Sequence, residues 1–179
     1  MKYKVFSNLN KNAGFTLIEL VIVIVILGIL SVVAAPKAIK LKSDANRAVI
    51  KGAVGSVESA ISLFKSKTLT SGIHVTAQVT FSGITGSHYQ PWAASYNGKS
   101  FSDAYDTPPE IFKASGLDVN DWRYRIYVED GSYAVAAAPK NILRVAHPTI
   151  DEVRETNCYF SYHWRRNLGP IIKVVDTGC

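Results

Sequence analysis

One carboxylate, Glu19, stands inside an apolar run in which no other charge occurs until Lys37. A charged side chain facing hydrocarbon is costly, so a residue of this kind implies a function and a partner. The neighbouring residues point to an amine. Lys2, Lys4 and Lys11, with no acid among them, lead to Lys11-Asn12-Ala13-Gly14. A cut after Gly14 would leave a new α-amino group on Phe15, close in sequence to Glu19. A cation and an anion so placed can pair between neighbouring copies of the chain.

No enzyme constellation accompanies this pair. His74, His88, His147 and His163 lack metal-ligand spacing, and no HExxH, GxSxG or P-loop pattern occurs. No catalytic residue, metal or cofactor is therefore expected. Asp118, Asn120 and Asp121 do not fit a calcium loop and read as a turn. The segment Tyr159-Phe160-Ser161-Tyr162-His163-Trp164-Arg165-Arg166 sets aromatic residues on a basic background. Such a surface can stack sugars or bases. Alternation instead sends Phe160, Tyr162 and Trp164 to a core and leaves Tyr159 and His163 outside. Arg165 and Arg166 then remain as exposed contact candidates at a hairpin tip. Tyr89, Trp92 and Tyr96 form a second candidate surface.

The elements that must position these groups are visible as patterns. Residues 15–35 form an apolar stretch of 21. As a helix it would measure about 31 Å at roughly 1.5 Å per residue, enough for a hydrocarbon core of about 30 Å. Pro36 removes one backbone donor and is expected to bend the helix at the membrane edge. Beyond it Ala38, Leu41, Ala45, Val49, Ala53, Val57, Ala60 and Phe64 trace an apolar stripe opposite Lys40, Asp44, Arg47, Lys51 and Glu58. This predicts an amphipathic helix to about Lys67, ending before Ser71-Gly72.

After the helix the period changes to two. Residues 74–82 read as a strand, 83–109 as irregular structure and 111–117 as a short helix. Tyr124, Ile126 and Val128 alternate against Arg123, Arg125 and Tyr127, and Asp130-Gly131 predicts a type I′ turn into a strand over 132–138. Strands over 158–164 and 171–175 make a second hairpin, and 139–156 reads as a connection with little pattern. The fold class is α+β: a long N-terminal helix, half transmembrane and half amphipathic, packed on an antiparallel sheet.

At 179 residues the chain has room for an anchor and one domain. Its net charge of +6 falls to +3 without the three leader lysines, an excess that says little about nucleic acid. Charge asymmetry does not settle topology, because Lys37, Lys40, Lys42 and Arg47 balance the lysines of the leader.

Gly14-Phe15-Thr16-Leu17-Ile18-Glu19, the apolar run through Leu30 and Ala34-Ala35-Pro36-Lys37 resemble the N-terminal signal of type IV pilins and pseudopilins. With Asp44-Ala45, Asn157-Cys158-Tyr159 and Thr177-Gly178-Cys179, the chain resembles mannose-sensitive haemagglutinin pilins of the type IVa class most closely. The resemblance implies three parts: a leader over 1–14, a transmembrane and filament-core helix over 15–36, and a globular head over 37–179. It implies cleavage after Gly14 by a prepilin peptidase, N-methylation of Phe15, and assembly through Phe15 and Glu19. It also implies copies of this chain as partners, a separate assembly platform and ATPase, and a surface receptor or glycan. The location implied is the inner membrane, then an extracellular pilus, of a Gram-negative-type bacterium. Cys158 and Cys179 fall where the family carries a C-terminal disulfide loop, and in an exported domain two cysteines read as one bridge. In a cytosolic chain they would be free thiols.

Four other readings compete. An ordinary secretory signal would be cut after the apolar segment, at Ala34-Ala35-Pro36, where the proline is a poor residue to follow the cut. An uncleaved single-span anchor is a second. A pseudopilin of a type II secretion system shares the whole N-terminal signal. A membrane-anchored periplasmic enzyme or binding protein is the fourth.

Overall fold

The computed structural model describes residues 15–96, 101–102 and 107–179. The leader lysines and Gly14 lie outside them. The chain divides into two compact units, Met1–Leu41 and Lys42–Cys179. A single helix, α1 (Leu17–Thr70), contributes to both and continues through Pro36. In the first unit every described residue is exposed, apolar side chains included. That helix is long and apolar enough to cross a membrane.

In the second unit α1 buries Asn46, Ile50, Ala53, Val57, Ala60, Phe64 and Thr68. The expected stripe is correct from Ala53 onward and wrong before it, since Leu41 is 70% and Val49 50% exposed. Steps of four from Leu41 through Ala45, Val49 and Ala53 each drift about 40° round a helix of 3.6 residues per turn. The buried row alternates fours with threes as far as Phe64 and so stays on one face.

Short strands fill the stretch expected to be irregular. β1 (Val79–Phe81), β2 (Ile84–Ser87) and β3 (Gln90–Pro91) make one antiparallel sheet. β4 (Ser95–Tyr96) pairs with β5 (Phe101–Ser102). The strand expected over 74–82 is thus confined to its last part. The short helix α2 (Glu110–Ser115) ends on Gly116 in the left-handed conformation. Its buried Glu110 accepts the Thr85 N–H at 2.7 Å and pairs with Lys113 at 2.7 Å, which satisfies a charge that burial alone would make costly.

The main sheet runs β6 (Trp122–Glu129), β7 (Ser132–Pro139), β8 (Tyr159–His163), β9 (Ile171–Val175), all antiparallel. Asp130 and Gly131 both have positive φ, as a type I′ turn requires. Ile50, Ala53 and Val57 of α1 pack with Tyr124, Ile126, Val135, Ala137, Phe160 and Tyr162 of the sheet in one core. The α+β class stands.

The opposite face of the sheet is not open. The helix α3 (Ile150–Glu155) lies within the stretch expected to be a patternless connection. Thr149 and Glu152 start it with a reciprocal capping box. Its Val153 packs with Tyr159, Ala136 and Ala138 in a second cluster. Tyr159, expected outside, is therefore buried, and His163, also expected outside, is buried beside Glu129.

Candidate functional site

The start of α1 is held by its own sequence. Thr16 donates both its backbone N–H and its hydroxyl to Glu19 Oε2, each at 2.8 Å, and the Glu19 N–H returns to Thr16 Oγ1 at 3.3 Å. This reciprocal pair satisfies donors that a helix N-terminus leaves unpaired. Both contacts to the carboxylate fall on Oε2, so Oε1 accepts no hydrogen bond among the described residues. Phe15 beside it is exposed. The role of Thr16 escaped the sequence reading, although Thr-x-x-Glu before an apolar run is the signal that reveals it.

Around Glu19 the helix offers a continuous apolar surface. Leu17, Ile18 and the apolar residues through Leu30 are exposed among the described residues. A row of this kind is compatible with lipid or with the same row of a neighbour, and not with water alone.

At the other end of the chain Cys158 and Cys179 are bonded, 21 residues apart in sequence, with Cα atoms 4.8 Å apart. The tail they close is also sewn to α1. Asn46 Nδ2 donates to the Cys179 carbonyl at 3.2 Å and Arg47 Nε to the Asp176 carbonyl at 3.2 Å. The Gly178 N–H donates to the Asn157 carbonyl at 2.8 Å. A Cβ on Gly178 would collide with the Thr156 carbonyl oxygen, so the close return of the tail needs glycine there.

The surface candidates separate. Arg165 is half-buried: its Nε donates to the Gly169 carbonyl at 3.2 Å, and its backbone bonds to the Gln90 side chain. Arg166 is exposed and pairs with no acid among the described residues. Trp92 is only 6% exposed, because its indole N–H is spent on Ser87 Oγ at 3.0 Å and its ring packs edge-on to Tyr96. Phe160 and Tyr162 face the core as alternation suggested, with the Tyr162 hydroxyl donating to the Pro91 carbonyl at 2.7 Å. Burial alone pushes that hydroxyl's pKa well above the ordinary tyrosine value. Asp118 accepts the Asn120 N–H at 2.8 Å, which makes the acidic group a turn. Among the described residues no cluster of histidine, cysteine or acid could hold a metal.

Comparison with known proteins places this geometry. Residues 9–35 match the prokaryotic N-terminal methylation motif. The chain is 37% identical over 91 residues to the type IV narrow pilus major component PilA5 of Thermus thermophilus, covering 50% of this chain and 76% of that protein. It is 36% identical over 55 residues to the type II secretion system core protein G of Pseudomonas aeruginosa, covering 31% of this chain and 39% of that one. No solved structure matches the chain significantly.

Proposed function

Since the chain belongs to the type IV pilin family, we propose that it is a structural subunit of a type IV pilus, anchored by residues 15–35 until it is assembled. The observation that supports this most is the exposed apolar first part of α1, carrying Glu19 with one carboxylate oxygen that accepts no hydrogen bond among the described residues. Cleavage after Gly14 by a prepilin peptidase would create the Phe15 amine, which that enzyme then methylates. In the filament the amine of one subunit meets Glu19 Oε1 of another, while Thr16 holds Oε2 and fixes the carboxylate's direction. Removing one partner from a desolvated pair of this kind costs about 3–5 kcal/mol.

The apolar helices then bundle in the filament core and the second unit of each chain lies outside. Pro36 gives the helix a place to bend where core meets head. The partners are other copies of the chain, with an assembly platform and an ATPase as separate chains. The subunit starts in the inner membrane of a Gram-negative-type cell and ends in an extracellular pilus that serves attachment.

Sheared surface material tests the reading. Its pilin should begin at methylated Phe15 and weigh two hydrogen atoms less than the same chain reduced. A chain starting at Met1, or absent from that fraction, would sink it. Glu19→Ala should still be cut but should yield far fewer filaments, and normal fibres would refute the pairing. A pseudopilin is the second reading, favoured by the likeness to core protein G. It predicts no long surface fibre at native expression.

A further inference from the structure

A groove on the second unit has no part in this assembly scheme. It has a volume of about 590 Å³ and is walled by His88, Trp92, Tyr133 and Trp164, with Arg166 and Asn167 at one side. A second cavity of about 520 Å³ shares His88, Arg166 and Asn167 with it and continues past Tyr89 and Lys65. Volumes of this size, aromatic walls and a few placed polar groups are the features of small-molecule sites. No acidic side chain lines either cavity among the described residues.

The walls are built rather than loose. Gln90, buried, reaches the carbonyl oxygens of His88, Arg165 and Leu168 with its amide nitrogen at 3.3, 3.1 and 3.2 Å. Its Oε1 accepts the Arg165 N–H at 3.4 Å. One buried amide therefore clamps the loop that presents Arg166 and Asn167 onto the turn after β2. Trp164 is fixed in turn by its indole N–H on the Ser87 carbonyl at 3.3 Å and by edge-on packing against His88.

That turn is strained. His88 and Tyr89 both have positive φ, 54° and 64°. A two-residue hairpin between Ser87 and Gln90 ordinarily carries Asn-Gly for this reason. Bulky residues persist in the left-handed region where surrounding structure holds them for a purpose, and such outliers cluster at ligand sites. Here His88 supplies wall to both cavities and Tyr89 to the second.

We propose that the groove binds a carboxylate-bearing saccharide, with sugar rings against Trp164 and Tyr133 and the carboxylate on Arg166. The apolar C–H face of a pyranose suits an aromatic ring, whose face is electron-rich. Its hydroxyls find Thr76, Gln78, Ser132 and Asn167 along the walls. A guanidinium such as Arg166, with no acidic partner among the described residues, matches a carboxylate through two parallel hydrogen bonds. Arg166 lines both cavities, so a polymer filling them passes over it. A single-stranded nucleic acid fits less well, because such sites track the backbone with a run of cations and stack successive bases. Hydroxyl and amide groups outnumber cations here.

The proposal does not rest on filament assembly, and its test uses the full chain in a detergent without sugar headgroups. Trigalacturonate, its methyl ester, a panel of sialylated and neutral oligosaccharides and an oligothymidylate would be titrated by calorimetry. An acidic glycan should bind at least tenfold more tightly than its neutral counterpart, and Arg166→Gln should remove that difference. The double variant His88→Asn, Tyr89→Gly should melt higher than the parent yet bind at least tenfold more weakly. Equal affinity for acid and ester, no binding by any acidic glycan, tighter binding of the oligothymidylate, or full binding by the double variant would each overturn it.

Discussion

Replacing both Cys158 and Cys179 by alanine opens the C-terminal ring without leaving a free thiol. The ring closes a separation of 21 residues. Loop-closure entropy for a ring of this size corresponds to about 3 kcal/mol of lost stability. The tail is still tied by the Asn46 and Arg47 hydrogen bonds to Cys179 and Asp176 and by the Gly178 N–H on the Asn157 carbonyl. Lys51 and Asp176, 4.0 Å apart and partly exposed, add little. For a unit of this size about 3 kcal/mol lowers the melting temperature by roughly 10 °C. Near-UV circular dichroism of the full chain in detergent reads the loss, because the core aromatic residues lie in the second unit. The parent treated with a reductant should melt with the double variant. A loss under about 1 kcal/mol would refute the entropy argument and assign the tail's order to its hydrogen bonds.

Two further outcomes follow from single residues. A Cβ at Gly86 would strike the Gln90 carbonyl oxygen and come within 2.7 Å of the Phe64 ring. Gly86→Ala should therefore cost about 1–3 kcal/mol, and an unchanged denaturant midpoint would show that the β2–β3 hairpin gives way freely. His88 is held below its ordinary value of 6.5, first by desolvation and then by the Arg166 charge. The unfolded chain thus takes up this proton at higher pH than the folded one. The stability it carries is complete above about pH 6.5 and is lost as pH falls toward the folded value. Melts of His88→Gln should fall less steeply than the parent's over that range, and parallel profiles would count against the shift.

Much of this molecule was legible in short stretches of chain. Glu19 in an apolar run and Asp130-Gly131 between alternating segments announce themselves through local chemistry. A charge set in an apolar run needs a partner, and a primed turn needs residues that tolerate positive φ. The capping boxes at Thr16 and Thr149 were equally local and were passed over; the second starts α3, and with it the cover on the sheet's far face.

Other features belong to tertiary structure alone. Whether Val49 or Ile50 turns inward depends on where the sheet lies against the helix, since both are apolar and adjacent. Alternation in residues 159–163 marks two faces but cannot say that both are covered; at Tyr159 that is decided by α3, from outside the strand. The same holds for Gln90, whose buried amide joins a turn to a loop more than seventy residues away. Periodicity records how one segment can divide polar from apolar. Which division is used depends on the surface that arrives to cover it, and that surface comes from elsewhere in the chain.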